Sequence, residues 1–196
     1  INLKDVEQIV RTVLASMQTQ TQAAPAAARR VAPGVFAELD DAVAEASLAQ
    51  KGIRTLAVRT RVIEAIRKVC EEHARELAEL AVAETGMGRV EDKIAKNISQ
   101  ARHTPGVECL SPMVLTGDRG LTLIENAAWG VIASVTPSTN PAATVINNAI
   151  SMIAAGNAVV YNPHPAAKKA SIETMRILNE AIVKAGGPAA LICTVK

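Results

Sequence analysis

The sequence predicts an α/β protein: a parallel, doubly wound sheet, incomplete within this chain, preceded by amino-terminal helices. Short apolar runs alternate with amphipathic helical patterns between Gly130 and Val195, and Pro or Gly punctuates the junctions. Strands alternating with helices of this length are joined by crossovers, which makes successive strands parallel. About half of the residues are apolar (49%), enough to fill a core.

The chain opens on a separate object. Leu3, Val6, Ile9, Val10, Val13, Leu14 and Met17 recur at three- and four-residue spacing, with Lys4, Asp5, Glu7, Gln8 and Arg11 on other faces. This is an amphipathic helix over residues 1–17. A helix this short gains little from propensity alone and needs a surface for its apolar stripe. That surface is either a partner or the chain's own domain or an oligomer neighbour. Residues 18–34 are rich in Ala, Gln, Thr and Pro and read as a flexible linker.

The main domain is expected over residues 35–196. Leu39, Ala42, Val43, Ala46 and Leu48 mark a first helix there. Val62, Ile63, Ile66, Val69, Leu77, Leu80 and Ala81 mark a second, ending near Gly86. Glu91–Arg102 reads as a third helix. Gly130–Thr136 is a mostly apolar run bounded by Trp129 and Pro137, which suits a strand buried on both faces. Pro141 opens a helix, where its missing N–H does no harm, and Gly156-Asn157 ends it. Ala158–Tyr161 is a second strand, Ala166–Lys184 a helix closed by Gly186-Gly187-Pro188, and Leu191–Val195 a third strand.

Ligands of such sheets bind outside the carboxyl ends of the strands. Two loops fall there, Thr136–Pro141 and Asn162–Pro165. Neither carries the G-x-G-x-x-G fingerprint, so the residues alone leave open a nucleotide site or plain structural Pro turns.

Several ordered motifs narrow this. Glu84-Thr85-Gly86-Met87-Gly88, Glu91-Asp92-Lys93 and Lys96-Asn97 are followed by Thr104-Pro105-Gly106-Val107-Glu108 and Leu115-Thr116-Gly117-Asp118. Ser138-Thr139-Asn140-Pro141 and Pro163-His164-Pro165 complete the series. Together they resemble the CoA-acylating aldehyde dehydrogenases of bacterial microcompartments, from about Val35 to Lys196. The blocks Val107–Pro112 and Leu121–Asn126 are more similar to the ethanolamine-utilisation type, which favours acetaldehyde over propionaldehyde. The bifunctional aldehyde–alcohol dehydrogenases share the Glu91-Asp92-Lys93 and Pro163-His164-Pro165 motifs.

The resemblance implies an aldehyde-dehydrogenase-like, Rossmann-like fold and an oxidation of a small aldehyde to acyl-CoA through a cysteine thioester. NAD is the implied cofactor, coenzyme A the co-substrate, and no metal is implied. Covalent catalysis of this kind divides one hard step into two easier ones. Thr136, Pro137, Ser138, Pro163 and His164 are the implied cofactor contacts. Asn140 is the implied oxyanion donor, through its amide, with Thr139 as the alternative because the common superfamily loop places its Asn one position earlier. Asn140 is equally suited to capping the helix that follows. His164 either packs against an adenine or phosphate or is an exposed loop histidine. Lys168 and Lys169 either attract phosphates or form a solvated face.

No cysteine fits the nucleophile. Cys70 lies in a helical pattern, Cys109 in a loop or short strand, and Cys193 in a strand, with no His or cationic cluster adjacent in sequence to lower a thiol pKa. The resemblance puts the catalytic cysteine and the Gly-rich phosphate loop beyond Lys196. The chain alone is therefore expected to be inactive, an amino-terminal part lacking the catalytic domain. The resemblance also implies a homo-oligomer, with Leu121–Glu125 starting a strand used in oligomerisation, and, for the Leu3–Met17 stripe, a microcompartment shell protein as partner, reached by helix-in-groove binding.

Composition excludes other classes. A net charge of +2 gives no electrostatic case for nucleic acid, and 2% aromatic residues leave few stacking platforms. No apolar run reaches spanning length and no signal peptide is evident. Three cysteines without framework spacing suit a reducing cytosol, and the family resemblance implies that the location within it is a microcompartment lumen. A non-catalytic binding or assembly module stands as a different class, separable by titration with NAD and CoA.

Overall fold

The computed structural model describes residues 30–196; the expected helix over residues 1–17 lies outside the described residues. The chain runs β1 (Arg30–Ala32), β2 (Val35–Phe36), α1 (Leu39–Lys51), α2 (Leu56–Glu72), α3 (Ala74–Thr85) and α4 (Val90–His103). It continues with β3 (Met113–Gly117), β4 (Gly120–Ile124), β5 (Val131–Thr136), α5 (Pro141–Ala154), β6 (Ala158–Pro163), α6 (Lys168–Lys184) and β7 (Ile192–Val195). Strands β1, β2, β7, β6 and β5 form one sheet in that order. The β2–β7, β7–β6 and β6–β5 pairs are parallel, and only β1–β2 is antiparallel.

Helices cover both faces, as a doubly wound sheet requires. The Cys193 thiol lies 3.6 Å from the Ala42 carbonyl of α1. Val160 is the cross-strand partner of Cys193, so Tyr161, one residue on, points to the opposite face. There its hydroxyl donates to the Val145 carbonyl of α5 at 3.1 Å. The core joins Ile146, Ile150 and Ile153 of α5 to Leu178 and Ile182 of α6 and to Val62 and Ile66 of α2, all fully buried.

Several expectations need correction. The linker does not extend to residue 34: Arg30–Ala32 pairs with Val35–Phe36 across a turn in which Gly34 takes a φ of +72°. The single helix expected across residues 62–81 is two, broken at His73, whose φ and ψ are −102° and 10°. Neither Gly nor Pro marks that break. The Leu77 N–H still donates to the His73 carbonyl, so the hydrophobic period runs through it. Strand β5 is not buried on both faces: Ser134 and Thr136 are buried, with Ser134 Oγ accepting from Asn148 of α5, whereas Ala133 and Val135 on the other face are exposed, Val135 at 78%. Strand β4 has a partner, β3, that the sequence reading missed. The two form a separate antiparallel ribbon, exposed along its whole length.

Asn157 fixes the start of β5. Its Oδ1 accepts from the Trp129 and Gly130 N–H groups at 2.7 and 3.0 Å, and its Nδ2 donates to the Met152 carbonyl at 3.2 Å. The residue is 2% exposed, so water cannot substitute for these bonds. Asn157→Ala is expected to destabilise the protein by about 2 kcal/mol, since three hydrogen bonds to part-buried backbone groups would be lost. The midpoint of urea unfolding measures this.

Candidate functional site at the carboxyl edge of β5 and β6

Strands β5 and β6 end level with one another, with Thr136 opposite Pro163. The His164 N–H donates to the Thr136 carbonyl at 3.0 Å. The two sequence-predicted loops are therefore neighbours, and Thr136–Asn140 shares one edge with Pro163 and His164. Thr136 and Pro163 are buried, Ser138 and Asn140 half-buried, and Pro137, Thr139 and His164 exposed.

Helix α4 holds the first loop from below. Lys93 Nζ donates to the Thr139 carbonyl at 2.7 Å, and Lys96 Nζ to Asn140 Oδ1 at 2.8 Å. Lys93 is 8% exposed, and burial, helped by the Lys96 charge, pushes its pKa down. Asn97 Nδ2 donates to the Ala74 carbonyl at 3.3 Å, which ties α4 to α3. Gly86 and Gly88 hold φ of +66° and +80° in the turn between those helices, where a side chain would be strained. Arg89 closes on Asp92 at 2.7 and 3.1 Å and holds its carboxyl below the usual carboxylate range.

Asn140 precedes α5 but does not cap it through its side chain. The backbone carbonyl of Asn140 accepts the Thr144 N–H, while Oδ1 is held by Lys96. Its Nδ2 makes one long contact, 3.3 Å to Thr139 Oγ1. An ammonium can only donate, so the amide oxygen must face Lys96 and the N–H groups must face away. A recess of about 420 Å³ opens beside it, lined by Lys96, Gln100, Asn140, Ala143, Thr144 and Asn147. A larger recess, about 530 Å³, lies at Arg30–Gly34 and the end of α6, away from these loops.

In the second loop, His164 Nδ1 accepts the Ala166 N–H at 3.1 Å. The neutral ring then carries its proton on Nε2. Glu84, from the end of α3, accepts the Lys169 and Ala170 N–H groups at 2.8 and 2.7 Å. A carboxylate thus occupies the positive end of α6. The Thr136 hydroxyl is buried and has no hydrogen-bond partner.

Lys93, Lys96 and Glu84 were the residues that sequence reasoning missed as parts of the site. Their motifs were visible, but nothing in the sequence shows which loop they reach. The cysteines stand apart from it. Cys70 and Cys193 are buried, and burial pushes both thiols up to about 12. Cys109 is exposed, in a short 3-10 turn at Val107–Cys109. Among the described residues no group of His, Cys, Asp or Glu is arranged to hold a metal ion, and no helix is long and apolar enough to cross a membrane.

Comparison with known proteins resolves the lineage of this site. The family model described as "Aldehyde dehydrogenase family" matches residues 12–196. The chain belongs to the aldehyde dehydrogenase family. It is 66% identical to the acetylating acetaldehyde dehydrogenase EutE of Escherichia coli, over 100% of this chain and 41% of that protein. It is 39% identical to the CoA-propanoylating propanal dehydrogenase of Citrobacter freundii, over 100% of this chain and 42% of that protein. Among solved structures, a propionaldehyde dehydrogenase from the fucose-utilisation microcompartment of Clostridium phytofermentans superposes with a TM-score of 0.81 at 46% identity. That match covers 84% of this chain and 38% of the other. The chain thus spans about two fifths of the length of the curated relatives it matches. The expected aldehyde-dehydrogenase-like α/β fold is borne out.

In this aldehyde dehydrogenase chain the thiols test the burial pattern directly. Native protein is expected to react with a neutral aromatic disulfide reagent at Cys109 alone. Cys70 and Cys193 are expected to react only after denaturation, because their thiolates are not populated near neutral pH and the sulfurs are covered. Thiol counting with and without denaturant checks this.

Proposed function

We propose that this chain forms the nucleotide-binding part of an NAD-dependent, CoA-acylating aldehyde dehydrogenase acting on acetaldehyde. The observation that carries the reading is the Asn140 amide, held by its oxygen to Lys96 with its N–H groups turned outward. It sits at the carboxyl edge of a parallel sheet, where ligands of this architecture bind. The choice of aldehyde rests on the likeness to the acetylating relative, 66% against 39% for the propanal enzyme.

The residues present fit a dinucleotide at this edge. The Thr136 hydroxyl lacks a partner, and His164 offers an exposed ring with a proton on Nε2. The start of α6 is already taken by Glu84, which leaves the two loops rather than that helix to meet the cofactor. Thr136, Pro137, Ser138, Pro163 and His164 would hold NAD, and the nicotinamide supplies the hydride acceptor when bound. Asn140 Nδ2 donates to the oxygen on which negative charge develops during acyl chemistry, the kind of interaction that is strongest in the transition state. Coenzyme A is the acyl acceptor. The nucleophilic thiol is not Cys70 or Cys193, which burial keeps protonated.

In the enzyme that carries this chain, Asn140→Ala is expected to lower kcat about 100-fold with a small change in KM, the usual cost of one oxyanion donor. Thr139→Ala is expected to cost less than about threefold by the same reasoning. A reversal of the two would move the role to Thr139. Steady-state NADH production with acetaldehyde and CoA measures both.

The apolar stripe Leu3, Val6, Ile9, Val10, Val13, Leu14 and Met17 belongs to the same proposal, as a segment that binds a microcompartment shell protein and places the homo-oligomeric enzyme in the lumen. Its sequence pattern is the support, together with the microcompartment origin of the solved propionaldehyde dehydrogenase. Deleting residues 1–17 is expected to leave dehydrogenase activity intact and to abolish co-sedimentation with shells. Unchanged co-sedimentation would overturn the assignment.

A further inference from the structure

We infer that Lys96 is a positioning residue for the reaction: it fixes the orientation of the Asn140 amide and strengthens it as a donor. The inference rests on the oxyanion role proposed above for Asn140. An asparagine amide has two faces of opposite chemistry, and a half-turn about its last torsion exchanges donor for acceptor. In most loops a backbone N–H or C=O decides between them. Here no backbone group holds the Asn140 side chain, since it makes no capping bond to α5. Its two recorded partners are Lys96 Nζ at 2.8 Å and Thr139 Oγ1 at 3.3 Å. A hydroxyl accepts or donates and so tolerates either orientation. The ammonium tolerates one. Orientation therefore falls to Lys96.

The charge adds to the geometry. A cation on the amide oxygen draws electron density from the nitrogen, so the N–H becomes a better donor, as in any polarised hydrogen-bond chain. Lys93 performs the same service for the backbone one residue earlier, through the Thr139 carbonyl. The two lysines, three residues apart on one face of α4, divide the task. The buried one sets where the loop sits, and the exposed one sets which way its amide points. Gln100 and Asn147 are engaged with each other and with Thr104, at 2.9 and 3.0 Å, and do not compete for Asn140.

A double-mutant cycle in the complete enzyme tests this. Lys96 is solvent-exposed, so Lys96→Met removes the donor while keeping the side-chain bulk and the fold. It is expected to lower kcat about tenfold with KM for aldehyde changed less than about twofold, a fraction of the oxyanion donor's own effect. Lys96→Arg, which still donates to Oδ1, is expected to recover most of the loss. In an Asn140→Ala background, Lys96→Met is expected to have no further effect on kcat, since the two residues act as one unit. Equal losses in both backgrounds would mean that Lys96 acts on its own, and would overturn the inference while leaving the Asn140 role standing. A Lys96→Arg enzyme no better than Lys96→Met would overturn it as well. If Asn140→Ala itself leaves kcat unchanged, the oxyanion reading fails and the inference falls with it.

Discussion

A buried lysine under the loop that follows β5 is the constraint on which the rest of this architecture depends. Lys93 is 8% exposed and donates to the Thr139 carbonyl. Removing an ammonium from water is costly unless polar partners replace the lost hydration. The depressed pKa of Lys93 is the signature of that cost. A side chain in such a position cannot drift, because any loosening leaves a charge without a partner. The helix that carries it must therefore be fixed as well. Asn97 fixes it to α3, and the left-handed glycines Gly86 and Gly88 let the chain turn between the two helices. The loop, α4 and α3 thus form one mechanical unit, with the sheet supplying only the strand end from which the loop departs.

The same economy explains the second loop. A helix amino terminus at the carboxyl edge of a parallel sheet is a ready anion site. In α6 it is satisfied internally by Glu84, whose two oxygens take the Lys169 and Ala170 N–H groups. This closes the helix end to phosphate and anchors α3 to α6 across the fold. A Gly-rich turn, which lets a phosphate approach backbone amides, has no task at such a junction. The Pro163-His164-Pro165 turn found there is rigid instead: Pro163 ends the strand, and the His164 ring satisfies the Ala166 N–H.

Much of this fold was legible in the sequence because its signals are local. Pro141 does open α5, and Gly156, at a φ of +86°, follows its end. The alternation of β5, α5, β6, α6 and β7 needed only short-range patterning, and the parallel order followed from crossover geometry. The misreadings were of facts that no short window contains. The break at His73 leaves the hydrophobic period intact. The exposure of Val135 depends on the face of β5 opposite α5 being uncovered. The pairing of β3 with β4 joins two runs in which apolar residues such as Leu115 and Leu121 face solvent, against the rule that strands alternate. At the site, the loops that carry Asn140 and His164 were legible because they fall at strand ends, where such sheets bind ligands, while the roles expected of the two residues came from the family resemblance. Lys93, Lys96 and Glu84 were quoted as motif letters without roles. Their partners lie 46, 44 and 85 residues away along the chain, and spacing alone cannot reveal contacts of that range.

The division of chemistry between residue types follows from burial. A nucleophilic thiol needs a stabilised thiolate near neutral pH, and the low-polarity surroundings of Cys70 and Cys193 do the reverse. These two sulfurs act as small apolar side chains that fill the core. The polar investment of the described residues lies elsewhere, in groups that orient donors without reacting: an ammonium on an amide oxygen, an ammonium on a carbonyl, a carboxylate on a helix end. Each is a fixed dipole or charge, set before any substrate arrives. Preorganisation of this kind lowers a barrier because the groups need not reorient as charge develops. A scaffold that contributes orientation must be rigid at the loop but need not itself carry the reacting atom. The described residues meet that requirement: the loop is braced by α4, and the Cys70 and Cys193 thiols are buried and held protonated.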